Sequence, residues 1–200
     1  LLGAGHGWDT VPLYRRYTDL HAGWALLGGV GLLVAAIAYQ VVPMFSVTAP
    51  YPGWLRALYA PVLLAALALA SVGAFVPLPY ALRVGASLAG AAAVLAFAGW
   101  TLHLQRTRRR RLPDPWLHYW ALALVAAALA ALGWLAGYAW PALWTRPGYE
   151  VLLGALWLAG FGTTLVAGML HKIVAFLVWL DLSTRLRAVV RGRAPRTCAS

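Results

Sequence analysis

The sequence predicts an all-α fold, a polytopic transmembrane helix bundle of about five spanning helices, and three observations predict it. The first is composition. Mean hydropathy is +0.74, 62% of residues are hydrophobic and only 10% are charged, which is too apolar to keep a polar shell around a 200-residue water-soluble core. The second is the length of the uncharged runs, each close to the ~20 apolar residues that a helix needs to cross ~30 Å of hydrocarbon. The third is the position of the sixteen Lys and Arg. Thirteen of them lie beside the ends of those runs or after the last one, a signature of membrane topology and not of nucleic-acid binding.

The elements follow in order as one transmembrane domain over 1–200, with spans at about 22–42, 58–76, 84–104, 116–136 and 151–180. Leu1 to Leu20 mixes glycine, aromatic and charged residues (His6, Trp8, Asp9, Arg15, Arg16, Asp19) and reads as an extramembrane segment at the interface. The start at Leu1, without methionine or a signal-peptide pattern, reads as part of a longer chain. The first span, LHAGWALLGGVGLLVAAIAYQVVPMF, is expected to end at Pro43. Counting by threes and fours from His21 gives Ala25, Gly28, Leu32, Ala35 and Tyr39, a face of mostly small residues. Pro61 is expected in the first turn of the second span, which Pro77 and Pro79 end.

The third span carries Gly85, Ala89, Ala92, Ala96, Gly99 and His103 on one stripe, expected to pack closely against another helix. QRTRRRRLPDP after it is a hydrophilic loop, and Trp140 and Trp144 suit the headgroup level after the fourth span. Val151 to Leu180 is too long for one simple crossing, since thirty helical residues reach about 45 Å. It must project, tilt or bend after His171 and Lys172. Gly160, Thr164, Gly168 and Lys172 recur every four residues, which turns the lysine into the bundle.

Five spans put the loops after the first and third, and the tail, on one side. That side carries Arg56, the five arginines of 106–111, Lys172, Arg185, Arg187, Arg191, Arg193 and Arg196; the other carries Arg15, Arg16, Arg83 and Arg146. The asymmetry predicts a cytoplasmic C-terminus and an outer N-terminus, with His21 near the outer surface.

Candidate chemistry is sparse. His21, above the small residues Ala25 and Gly28, can present a ring nitrogen to haem iron with room for the macrocycle. The plain alternative is an interfacial histidine bonded to water. His103, His118, His171 and Lys172 are expected near the inner side as a polar cluster, although no two of the histidines have ligand-pair spacing on one helix. Structural roles are the plainer reading: interface hydrogen bonds for His103 and His118, and snorkelling or capping for Lys172. No metal site or soluble-enzyme motif is present in the sequence. The lone Cys198 and the pair Met44 and Met169 carry no redox signature. A solute carrier working past Lys172 is a further reading, weakened because the acids are all placed at ends or in loops.

HAGWALLGGVGLLVAAIAYQVVPMFSVTAPYP, RRRRLPDPWLHYW and GMLHKIVAFLVWL together resemble the C-terminal half of a group of bacterial membrane proteins related to subunit I of haem-copper oxidases and nitric oxide reductases. The resemblance implies an inner-membrane, multi-pass protein of the respiratory chain, with haem b as cofactor and His21 in the place of an axial ligand. It also implies electron transport through that haem. The departures are the absence of a His-His, His-x-His or His-Tyr element for a copper–haem centre, and His171 and Ala175 where relatives tend to have Tyr and Pro. The expectation is therefore a haem-b-carrying or accessory subunit that is not an enzyme alone. A permease-like or scaffold subunit with structural histidines is the alternative. Expected partners are the lipid bilayer and other membrane subunits or further copies of the chain; nucleic acid is not one.

Overall fold

The computed structural model describes residues 11–109 and 114–192, without side chains for 11–13, 15 and 188–192. Leu1–Thr10, including His6, Trp8 and Asp9, lie outside the described residues, as do Arg110, Arg111 and Cys198. Five helical spans are long and apolar enough to cross a membrane: Arg16–Ser46, Gly53–Phe75, Tyr80–Arg106, Pro115–Ala139 and Tyr149–Arg187. Leu33, Leu64, Leu88, Leu129 and Leu158 are exposed on the outsides of all five. A surface of that kind is stable in hydrocarbon, and the chain is a multi-pass membrane protein in contact with lipid.

The spans exceed the predicted boundaries at nearly every end. The first is a continuous helix: α1 (Val11–Gly23), a π-helical segment (Trp24–Gly31) and α2 (Leu32–Ser46). Residues 11–20 are thus helical and extend the span; Arg16 Nη1 donates to the Ala74 carbonyl at 3.1 Å and the Tyr17 ring lies 5.4 Å from Phe75. Pro43 does not end this span. A proline removes its own N–H bond and crowds the carbonyl four residues back, yet the helix persists until Val47, at φ 52°, leaves the right-handed region. The Val47 N–H and, at 3.2 Å, that of Thr48 then bond to the Pro43 carbonyl. A β-branched residue in this conformation costs about 1–2 kcal/mol.

α3 (Gly53–Phe75) begins earlier than predicted, so Pro61 lies in its interior. α4 (Tyr80–Arg106) and α5 (Pro115–Ala139) follow, then a short turn of helix at Pro141–Leu143. Gly148, at φ 84°, makes the turn into α6 (Tyr149–Ala155). A second π-helical segment (Leu156–Thr163) leads without interruption into α7 (Thr164–Gly192). The last helix runs on past Lys172 without a break and away from the other helices. Residues 173–187 lie exposed along its run apart from the half-buried Ser183.

α3 packs on α4, α4 on α5, and α5 on the second π segment and α7, while α2 touches α4. α5 is the central helix, its Trp116, Trp120, Ala123 and Leu124 almost inaccessible. Trp140 is exposed, but Trp144 is half-buried. It folds back on α5, where its indole fills the space beside Gly137 and stacks edge-on against Trp134 at 5.2 Å.

The two π segments pack on each other. Their wider turns, bonded i to i+5, leave carbonyls for side chains to satisfy. Trp157 Nε1 donates to the Leu26 carbonyl at 2.8 Å. The hydroxyls of Thr163 and Thr164 donate to Leu158 and Ala159, five residues back, each at 3.0 Å. Replacing Trp157 by phenylalanine is expected to cost about 1 kcal/mol, the worth of one such bond, and to speed amide exchange across Trp24–Gly31. Hydrogen-exchange mass spectrometry reads this, and an unaltered Trp24–Gly31 would assign the pairing of the segments to packing alone.

Candidate functional site

The stripe Gly160, Thr164, Gly168, Lys172 faces α5 as its spacing predicts. A Cβ on Gly160 would lie 2.7 Å from the Ala126 Cβ, and one on Gly168 would lie 2.6 Å from the Tyr119 Cβ. Only glycine allows the two backbones so close, and the approach carries the Lys172 ammonium to the start of α5. Asp114, the N-cap residue there, makes no side-chain bond to its own helix. Its Oδ2 pairs with Lys172 Nζ instead, the two side chains retaining 18% and 25% of their exposure.

Aromatic rings close over this pair. Lys172 Nζ lies 5.4 Å from the centre of the Phe45 ring and 5.9 Å from Trp116, within cation–π range. Phe45 meets Trp116 edge-on at 6.1 Å, and Trp116 meets Trp120 at 5.6 Å. The pair therefore joins α7 to α5 beside the last turn of α2.

Uncharged polar groups are buried at the same end. Ser46, Gln105 and Trp120 stand on α2, α4 and α5, and among the described residues Ser46 Oγ, Gln105 Nε2 and Trp120 Nε1, like Trp100 Nε1 on α4, are inaccessible and without a hydrogen-bond partner. The Tyr51 hydroxyl, by contrast, shares a 2.9 Å hydrogen bond with Thr101, whose own hydroxyl donates to the Phe97 carbonyl. Burial pushes the Tyr51 phenol well above its ordinary range, against the lowering effect of the Thr101 bond.

The four residues of the expected polar cluster have different surroundings. His103 is exposed with its ring 5.8 Å from Trp100, and His118 is exposed on α5. The His171 ring stacks on Tyr119 at 4.9 Å, and its Nδ1 lies 2.8 Å from the Ala167 carbonyl. Lys172 alone of the four enters the buried site. Among the described residues no three His, Cys, Asp or Glu side chains come close enough to hold a metal ion.

At the opposite end, His21 and Ala25 are exposed, while Gly28 packs against Trp24 and Leu67, which a Cβ would meet at 3.2 and 3.3 Å. The α-helical count from His21 fails because Trp24–Gly31 is wound as a π-helix. The buried face of the span runs instead through Gly31, Ala35, Ala38 and Val42. The face beneath His21 is therefore not one open surface for a macrocycle.

The residues that the sequence reading missed are Asp114, Phe45, Ser46, Gln105, Trp116 and Trp120. The available signals were small: a Trp pair at i, i+4 after Asp-Pro, and lone Ser and Gln side chains at the ends of apolar runs. No protein-family model, curated protein or solved structure matches the chain.

Proposed function

We propose that the chain is a non-enzymatic subunit of a larger assembly in a bacterial inner membrane, docking onto a neighbouring membrane subunit through α4. The observation that carries this reading is the direction of the α4 stripe. Gly85, Ala89, Ala92, Gly99 and His103 are exposed, whereas Ala91, Val94, Phe97, Ala98, Thr101 and Leu104 are buried. A Cβ on Gly85 or Gly99 would meet nothing within 4 Å. Five of the six stripe residues thus face outward, and Ala96 is half-buried against the core. Small residues gain nothing from lipid, and their value is close approach by another helix. Arginine bias between the two ends supports the orientation with Arg106–Arg109 and α7's end in the cytoplasm.

Ala92→Leu is expected to leave Tm unchanged and to shift the protein from a large to a smaller species on native electrophoresis of mildly solubilised membranes. Leu122→Ala, a change on the exposed side of α5, serves as the control. Equal migration of Ala92→Leu and the parent chain refutes docking through α4.

A haem-b-carrying respiratory subunit is the second reading. It draws support from the resemblance and from the exposure of His21, whose ring would reach a haem only at a boundary with a partner. A reduced-minus-oxidised spectrum of the assembly, with and without His21→Ala, tests it; no b-type α-band, or an identical band in both, removes His21 from haem ligation.

A further inference from the structure

We propose that the groove between α3 and α4 at the His21 end of the bundle binds one acyl chain of an anionic phospholipid, whose phosphate pairs with Arg83. The groove has a volume of about 300 Å³, and its walls include Val62, Ala66 and Leu69 of α3 and Leu82, Gly85 and Ala89 of α4. None of its lining residues carries a polar side chain, so it suits hydrocarbon. The two helices meet closely at its base, where a Cβ on Gly90 would lie 3.3 Å from the Ala66 Cβ.

The length of the groove favours a lipid chain over a whole helix. On α4 the lining runs from Ala81 to Ala89, eight steps that amount to about 12 Å, close to half of a ~30 Å hydrocarbon core. Toward the other end of the pair, Trp54 of α3 meets Trp100 of α4 edge-on at 6.0 Å and bridges the two helices. A spanning helix needs a seat of the full depth, whereas a chain from one leaflet needs only half. Gly85 and Ala89 belong also to the docking face proposed for α4, but Ala92 lies beyond the groove, and lipid binding here requires no docked subunit.

Arg83 sets the headgroup end. Helix side chains lean toward the N-terminus, which in α4 is the end at Tyr80 where the groove begins. The Arg83 stem reaches across to α3, its Cδ 3.9 Å from the place a Cβ on Gly73 would take. Gly73 stands one turn beyond Leu69 of the groove wall, so the arginine crosses the mouth. Arg83 is exposed, and no carboxylate of the described residues pairs with it. The first turn of α4 holds no acidic residue, and the positive end of that helix adds to the attraction for a negative group. A phosphodiester complements this charge, and a guanidinium can bind two of its oxygens at once.

Native mass spectrometry of the whole chain tests the proposal, with release from neutral-detergent micelles doped with dioleoylphosphatidylglycerol, or with dioleoylphosphatidylcholine as the zwitterionic comparison. One phosphatidylglycerol is expected to stay bound to the parent chain, and phosphatidylcholine is expected to be lost. Gly85→Phe, which fills the groove from a position where a Cβ meets nothing within 4 Å, should abolish retention. Val62→Phe repeats the block from the α3 wall, and Tm in lipid-free detergent identifies which of the two is folded and therefore read. Arg83→Gln should weaken half-saturation about tenfold. Ala92→Leu should keep its lipid like the parent chain, so that failure of lipid binding and failure of docking are read apart. Undiminished retention in the groove-filling variant or in Arg83→Gln, or equal retention of phosphatidylcholine, overturns the proposal. So does a groove-filling variant that keeps its lipid but loses its partners on native electrophoresis, which would seat a helix of the neighbouring subunit in the groove instead.

Discussion

Gly168→Ala lowers the Tm of the purified protein by about 5–10 °C, whereas Gly85→Ala leaves it unchanged or raises it slightly. The two substitutions add the same methyl group to helices of similar composition, so their difference isolates packing. At Gly168 the new Cβ would stand 2.6 Å from the Tyr119 Cβ and 3.5 Å from the Trp116 carbonyl. Neither neighbour is the free end of a side chain, and relief comes only by moving α7 away from α5. Overpacking of this kind costs about 1–3 kcal/mol, and each kcal/mol moves Tm by about 2–4 °C in a chain of this size. The same movement withdraws Lys172 from Asp114, which places the total near the top of the range. At Gly85 a Cβ meets nothing within 4 Å, and alanine is the better helix former by up to about 1 kcal/mol. Differential scanning fluorimetry in detergent compares them; matching losses at the two positions would mean that the α5–α7 contact is not close-packed.

That contrast also separates what was legible in the sequence from what was not. Five long apolar runs sufficed to identify five spans, because the hydrocarbon allows few other structures and leaves charged residues only at the ends. The direction of the last stripe was legible as well, since Lys172 cannot face lipid cheaply and drags Gly160 and Gly168 inward with it. The α4 stripe carries no such charge. Periodicity establishes that Gly85, Ala89 and Ala92 share a face, but not whether that face meets this chain or another. In the first span the period itself misleads, because Trp24–Gly31 adopts wider turns. Those turns are stabilised by a tertiary bond, Trp157 Nε1 to the Leu26 carbonyl, between residues 131 positions apart. Asp114 was hidden by its loop: its role exists only when Gly168 lets α7 approach.

Breaking the Lys172–Asp114 pair from one side is the second large expected effect. Lys172→Met leaves the Asp114 carboxylate beside Phe45, Trp116 and the buried end of α2, with no countercharge from α7. Removing one partner of a fully buried pair costs about 3–5 kcal/mol. The side chains here retain 18% and 25% exposure, so water repays part of the loss and about 2 kcal/mol is expected. Asp114→Asn has a smaller effect, because the ammonium keeps its cation–π contacts with Phe45 and Trp116 and can extend its flexible stem toward solvent. The double variant Lys172→Met/Asp114→Asn recovers much of the loss, since no charge then remains to be desolvated. A double-mutant cycle on Tm and on denaturant midpoints measures the coupling, and strictly additive losses would show two side chains that lie side by side without stabilising each other. A strong coupling would instead show that the pair fixes the depth at which α7 sits on α5, which in turn sets how much of the apolar helix beyond Lys172 stands clear of the bundle.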